Sequence, residues 1–135
     1  QEHEIHDLWK RRQNTKFNGA SYISQVGALA ALSEKGEAEN KQNVAYYMKN
    51  AQKIASFLKR KQLYFVGGKN APYLWLKIPF KMDSWSFFDY LLSECAVVCT
   101  PGVGFGKNGE GFVRLSSFAS AQSVDEALRR MERIF

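Results

Sequence analysis

The sequence has few of the features that mark disulfide-stabilised or membrane-spanning proteins. It contains only two cysteines and three prolines, so a disulfide framework is excluded and a reduced, intracellular compartment is favoured. No stretch approaches the roughly 18 uninterrupted apolar residues of a membrane span. The first residue is not methionine and no signal-peptide pattern follows it. We therefore expect the chain to begin within a longer protein.

What the sequence contains is typical of a globular domain. Its 135 residues suit one domain of ordinary size. Hydrophobic residues make up 45% and aromatic residues 14%, which is enough for a true core and excludes disorder. Nineteen basic against 13 acidic residues give a net charge of +6. That charge admits a nucleic acid or another anionic partner but indicates no fold.

Hydrophobic periodicity and terminal signals predict four helices. They span residues 20–35, 39–61, 83–95 and 123–135. Gly36 is predicted to end the first helix, Asp83 to cap the third, and Ser123 with Glu126 to form a capping box at the last. The first helix is rich in glycine and alanine, which let another backbone approach closely. We expect it to pack against a large neighbour.

The same periodicity predicts which helical residues enter the core. In the second helix these are Val44, Tyr47, Met48, Ala51, Ile54, Ala55 and Leu58. In the third they are Trp85, Phe88, Leu92 and Cys95, and in the last Val124, Ala127, Leu128, Met131 and Phe135.

Four extended segments complete the predicted architecture. They cover residues 63–66, 73–79, 96–100 and 112–118. Two long helices followed by the order β-α-β-β-α predict an α/β fold, an α+β two-layer sandwich with helices packed on a small mixed sheet. The last two strands are joined by a segment that we call the glycine loop, residues 102–111, which carries five glycines.

Two motifs in and beside the glycine loop suggest nucleotide or nucleic-acid binding. Residues 104–109 match a dinucleotide fingerprint by letter. That motif needs a following helix to receive the pyrophosphate, whereas a strand is predicted here, so we expect a turn. Residues 108–115 partly imitate the RNA-stacking strand of RNA-recognition motifs. Glu110 and Leu115 stand at two of its aromatic positions, which removes the main stacking energy.

Four side chains contain the right atoms for a zinc site, namely His3, His6, Cys95 and Cys99. One cysteine is predicted to end a helix and the other to lie in a strand, which is poor geometry for a chelating loop. We expect both cysteines to be small core residues and no metal to bind.

Arg114 is the strongest single candidate for a binding residue. Alternation places it on one strand face with Phe112, Ser116 and Phe118. An arginine in this position either extends its charge into solvent at a sheet edge or meets an anion in a partly buried site. Its planar guanidinium can bind a carboxylate with two parallel hydrogen bonds. The pattern alone favours the solvent-exposed interpretation without excluding the other.

Three separated segments then resemble signature segments of the LL-diaminopimelate aminotransferases. They are WKRRQNTKFNGASYISQ at residues 9–25, NAPYLW at residues 70–75, and TPGVGFG at residues 100–106 with GEGFVRLS at residues 109–116. The matches run in order through nearly the whole chain. On these motifs the chain is identified as a member of that family.

The resemblance implies a fold-type I pyridoxal-phosphate enzyme, a homodimer with a large and a small domain. Residues 1–36 would link from the large cofactor domain, and residues 37–135 would form the C-terminal small domain. Arg114 would hold a substrate carboxylate. Asn18 would reach the cofactor and the substrate, across the dimer interface.

The family's cofactor-binding lysine lies in a serine-rich upstream segment that has no match here. We therefore expect the chain alone neither to hold pyridoxal phosphate tightly nor to transaminate. The resemblance implies that the intact enzyme exchanges amino groups between LL-diaminopimelate with 2-oxoglutarate and tetrahydrodipicolinate with glutamate, in the cytoplasm or a plastid, without a membrane partner.

Two alternatives stay open. One is a freestanding basic α/β module that binds nucleic acid, and the other is an aminotransferase of different substrate range.

Overall fold

A computed structural model describes residues 2–135, so Gln1 lies outside the described part. The chain divides into two compact units, the first ending at Lys41 and the second spanning Gln42–Phe135. Between residues 2 and 135 no helix is both long and apolar enough to cross a membrane. The division into a linking segment, residues 1–36, and a small domain, residues 37–135, remains a prediction about a longer protein.

The first unit is helical. It contains α1 (Glu2–Lys16), α2 (Tyr22–Ala31) and the start of α3 (Glu34–Arg60), which continues into the second unit. The sequence analysis predicted no helix where α1 lies; that segment is polar and basic, and almost all of its described side chains are exposed. Gly19 adopts a φ of 88° in the link between α1 and α2.

Gly36 does not end a helix, and that prediction is wrong. It lies in the first turn of α3, where its N–H donates to the Ser33 hydroxyl at 3.1 Å. A Cβ at this position would lie 2.2 Å from the carbonyl oxygen of Ala30. The glycine is therefore needed for the tight corner between α2 and α3.

The second unit alternates short strands with helices. Its elements after α3 are β1 (Phe65–Gly67), β2 (Tyr73–Lys77), α4 (Ser84–Cys95), β3 (Thr100–Pro101), β4 (Phe112–Ser116) and α5 (Ala121–Met131). The predicted order is confirmed, but β3 begins at the end of the predicted segment 96–100. Ala96 closes α4 with a positive φ of 50°, and pairing starts only four residues later, at Thr100.

The sheet has the order β1-β2-β4-β3, and all three neighbouring pairs are antiparallel. The predicted mixed sheet is therefore wrong. The connection through α4 does make β2 and β3 run in the same direction, but β4 inserts between them. Each neighbouring pair is thereby antiparallel.

The core lies between the helices and one face of the sheet. Leu74 pairs in register with Leu115, and Leu76 with Val113, and all four are buried. The helices contribute Ala51, Ile54, Phe57, Leu58, Phe87, Leu91, Cys95, Val124 and Met131.

The predicted inner face of α4 is displaced by one residue. Phe87 and Leu91 are buried, whereas Trp85 is 59% exposed and Leu92 is also exposed. Two apolar stripes run along this helix, and only the position of the sheet decides between them. Val44 of α3 is likewise exposed rather than buried.

The predicted cap of α4 is confirmed, because the Asp83 carboxylate accepts from the Ser86 N–H at 2.7 Å. The predicted capping box of α5 is wrong. This helix begins at Ala121, and Ser120 caps it by accepting from the Ser123 N–H at 3.0 Å. Glu126 instead binds two arginines of its own helix, which lower its pKa to about 2.

The glycine loop contains two short 3₁₀ turns, Gly102–Phe105 and Lys107–Gly109. A Cβ on Gly102 would lie 2.1 Å from the carbonyl oxygen of Gly109 and 2.5 Å from that of Phe112. The loop therefore wraps closely beside β4, and only glycine fits at this crossing.

We predict that Gly102→Ala destabilises the chain by about 1–3 kcal/mol or more, because backbone must move to admit the methyl group. Gly104→Ala is the matched control, since a Cβ there meets nothing within 4 Å. It should be neutral or stabilising by about 0.4–1 kcal/mol. Urea unfolding of both variants measures the difference. Equal stabilities would contradict a required close approach at Gly102.

Candidate functional site

The side of the sheet opposite the core carries the candidate site, and we call it the open face. Strand alternation directs Tyr73 and Trp75 of β2 and Phe112 and Arg114 of β4 to this face. In register, Arg114 lies opposite Trp75 on one side and Thr100 of β3 on the other. Its strand is therefore central in the sheet, and the side chain rises from the middle of the open face.

Aromatic rings surround the Arg114 guanidinium. Its Cζ lies 4.4 Å from the ring centroid of Tyr73 and 4.7 Å from that of Phe105 in the glycine loop. Trp75 meets Phe105 edge to face at 5.5 Å and stacks on Phe112 at 5.7 Å. The rings attract the cation through their negative faces and shield part of it from water.

Arg114 finds no acidic partner within the described residues. No carboxylate of residues 2–135 forms an ion pair with it. Its Nε is buried and has no hydrogen-bond partner there. A buried donor without a partner costs about 1–3 kcal/mol. The guanidinium is thus the group on this face that is best suited to gain an anionic ligand.

The end of the glycine loop is fastened to the start of α4. The Glu110 carboxylate accepts from the Ser84 N–H at 2.6 Å and from the Gly111 N–H at 2.9 Å. The buried Ser84 hydroxyl donates to the Phe112 carbonyl at 3.1 Å and accepts from the Gly111 N–H at 3.2 Å. The Ser84 and Gly111 amides hold the pKa of Glu110 below its usual value, because they stabilise the carboxylate.

Asn18 lies in the first unit, in the exposed link between α1 and α2. The following Gly19 has a positive φ, which turns the chain before α2 begins. The amide of Asn18 can both donate and accept hydrogen bonds. Asn18 and Arg114 thus belong to different units of the chain.

Neither nucleotide-type motif has the structure its chemistry needs. The segment after Gly109 leads into β4 rather than a helix, so residues 104–109 do not open a helix whose N-terminus could receive a pyrophosphate. In the RNA-like segment, Leu115 is buried in the core and Glu110 is bound to α4. Neither residue can offer a surface on which a base could stack.

The zinc candidates lie in different units of the chain. His3 and His6 lie on α1 in the first unit, whereas Cys95 and Cys99 are buried in the second. Burial raises the pKa of Cys99 to about 11 and also raises that of Cys95, so both remain thiols. The part of the chain that the structure describes holds no group of three metal-ligating side chains. The prediction that both cysteines are core residues is confirmed.

Sequence reasoning missed the groups that surround Arg114 and fasten its loop. Tyr73 and Trp75 alternate with buried leucines along β2, but nothing in the sequence connects them to Arg114. Phe105 stands between glycines, where no periodicity exists to orient it. Glu110 was considered only as a missing aromatic residue. These contacts join segments that are distant in sequence, so local patterns could not indicate them.

Comparisons with known proteins give a consistent result. The sequence profile described as aminotransferase class I and II matches residues 8–131. LL-diaminopimelate aminotransferases from Prochlorococcus marinus and Lachnospira eligens are 53% and 50% identical to this chain, over 97% and 96% of its length. In each case the match covers 32% of the relative. The chain thus spans about a third of the length of these relatives.

Solved structures agree with the sequence matches. The L,L-diaminopimelate aminotransferase from Chlamydomonas reinhardtii is 40% identical, with a TM-score of 0.91, over 97% of this chain and 32% of that one. An aspartate aminotransferase from Thermotoga maritima is 31% identical, with a TM-score of 0.77, over 92% of this chain and 31% of that one.

We predict that Glu110→Gln lowers stability at neutral pH and removes part of its acid sensitivity. Because the folded pKa of Glu110 lies below the ordinary 4.5, its contribution is complete above that pH and is lost as pH falls through the folded value. The stabilities of the wild-type and variant proteins should therefore converge in acid. Urea unfolding from neutral pH into acid measures the difference in unfolding free energy between the two proteins. Glu94→Gln, at an exposed position of α4, is the matched control. A constant difference at all pH values would contradict the assignment.

Proposed function

The chain belongs to the class I and II aminotransferases, and we propose that it is the substrate-carboxylate-binding part of an LL-diaminopimelate aminotransferase. Identity of 50–53% to enzymes of that name supports this substrate range over the aspartate aminotransferase, at 31%. The proposed reaction exchanges amino groups between LL-diaminopimelate with 2-oxoglutarate and tetrahydrodipicolinate with glutamate. Because the chain spans about a third of its relatives, the activity belongs to a longer protein.

The observation that carries the proposal is the state of Arg114. Its guanidinium is partly shielded by two rings, lacks an ion-pair partner among residues 2–135, and has a buried Nε without a hydrogen bond. Every substrate and product of the proposed reaction has a carboxylate. An amino or keto acid would therefore bring a carboxylate to the terminal N–H groups of the guanidinium and be oriented by two parallel hydrogen bonds.

Asn18 is assigned the second site role by the family resemblance. It stands exposed on a turn ahead of α2, where its amide can hydrogen-bond to groups outside this unit. We propose that it contacts the cofactor and the substrate, across the interface of a homodimer. We also assign the complete enzyme to the cytoplasm, or to a plastid if the source is plant-like.

Pyridoxal phosphate is the cofactor that the family implies, and it serves as an electron sink for proton removal at the substrate Cα. No lysine in residues 2–135 fits the covalent attachment of that cofactor. All are exposed except Lys61, which is half-buried and lies 2.6 Å from the Glu132 carboxylate. A lysine nucleophile needs desolvation or a cationic neighbour to release its proton, and an acidic partner has the opposite effect. We therefore propose that the cofactor lysine lies outside this chain.

We predict that Arg114→Lys in the complete enzyme lowers kcat/KM for both amino-acid substrates by about 30- to 1,000-fold. Lysine keeps the positive charge but loses the planar fork, at a cost of roughly 2–4 kcal/mol. Steady-state kinetics with LL-diaminopimelate and with glutamate measure the effect. Unchanged kinetics with both would contradict the role of Arg114.

Asn18→Ala is to be measured in the same assay, because its assigned role is separate. It should slow both half-reactions while leaving thermal unfolding nearly unchanged, since the side chain is exposed. The exposed Asn70→Ala is the matched control, and it should leave both half-reactions at wild-type rates. Wild-type turnover in Asn18→Ala would remove Asn18 from the site.

We predict that the 135-residue chain alone does not acquire one site-specific pyridoxyl-lysine. The purified chain is incubated with pyridoxal phosphate, reduced with borohydride and mapped by peptide mass spectrometry. Substoichiometric labelling scattered over the exposed lysines is expected, because none is activated. Stoichiometric modification of a single lysine would contradict the proposal that the attachment site lies elsewhere.

A further inference from the structure

The guanidinium of Arg114 is positioned by rings rather than by hydrogen bonds. Its Cζ lies over Tyr73 at 4.4 Å and over Phe105 at 4.7 Å, while its Nε has no hydrogen-bond partner in residues 2–135. A long side chain with four rotatable bonds otherwise loses considerable conformational freedom on binding a ligand. Contacts that fix the direction of the side chain before the ligand arrives reduce this cost and favour carboxylate binding.

Phe105 is held over Arg114 by the construction of the glycine loop. The residue ends the first 3₁₀ turn, and its ring meets that of Trp75 edge to face. The turn is fixed at its base by the close backbone approach of Gly102 to Gly109. Phe105 is nevertheless 53% exposed. Its ring therefore contributes little to the core, and its contact with Arg114 needs another explanation.

We infer that Phe105 and Tyr73 are positioning residues that hold the Arg114 guanidinium ready for a substrate carboxylate, and that the glycine loop serves to place Phe105. This inference rests on the proposed function. The rings lie over the guanidinium carbon and shield part of the cation, while the terminal N–H groups can donate parallel hydrogen bonds to a carboxylate. The attraction comes from the ring face, so the hydroxyl of Tyr73 is not required.

Kinetics of the complete enzyme test the inference. Phe105→Leu and Tyr73→Leu should each raise KM for LL-diaminopimelate and for glutamate by about 2- to 30-fold, the range of one cation–π contact, with little change in kcat. Tyr73→Phe should restore the KM lost in Tyr73→Leu. Tyr64→Leu is the matched control, because Tyr64 is 63% exposed and has no contact with Arg114. An equal rise in KM in Tyr64→Leu would overturn the inference.

A double-mutant cycle separates positioning from a general structural effect. In an Arg114→Ala background, Phe105→Leu should raise KM no further, because the group it positions is gone. If the two changes multiply, Phe105 acts independently of Arg114 and the inference is overturned.

Crystal structures of the complete protein and its Phe105→Leu variant decide the inference without reference to activity. A displaced guanidinium, or several conformers of it, is expected in the variant, and one unchanged conformer would overturn positioning by the ring.

If Arg114→Ala leaves kcat/KM unchanged, the proposed function fails, while these structures still decide the positioning. If Arg114→Ala is severely impaired but Phe105→Leu changes neither KM nor the guanidinium, only the inference fails.

Discussion

The register between β2 and β4 determines where the sheet's core residues and Arg114 lie. Pairing Leu74 with Leu115 and Leu76 with Val113 turns four apolar side chains toward the helices. The same pairing places Arg114 opposite Trp75 on the open face. Because side chains alternate, a slip of one residue would bury the guanidinium among leucines and expose the core. The register that buries the core residues is therefore also the register that places Arg114 on the open face.

The glycine loop is held in a defined position beside the sheet. Its base depends on two glycines whose backbones approach too closely for any Cβ, and its end is fastened to α4 through Glu110 and Ser84. These contacts involve polar backbone groups, which need partners when buried. A loop of this composition would be mobile if it were free. Here it is tied at both ends, so it can carry an exposed aromatic ring to a defined place beside Arg114.

The sequence sufficed for elements whose signals are local. The cap at Asp83, the order of strands and helices, and the strand face carrying Arg114 followed from short patterns, and the family match agrees with the resemblance of three separated segments. It failed at the capping box of α5, where the nearby Ser120 caps the helix instead, and where the answer depends on distant partners. Gly36 was assigned to a helix end although the neighbouring helix requires it, and the inner face of α4 could be chosen only once the sheet was present.

The surroundings of Arg114 show why the motif alone left two interpretations open. An arginine between phenylalanines in sequence could face solvent, and only the rings of Tyr73 and Phe105, from two other segments, make it a partly shielded cation. Shielding without an acidic partner strengthens the interaction with an incoming anion, because less water competes for the charge. A surface arginine would gain little from one carboxylate. The physical case for a binding role therefore depends on the tertiary contacts, and it stands independently of the resemblance that first suggested that role.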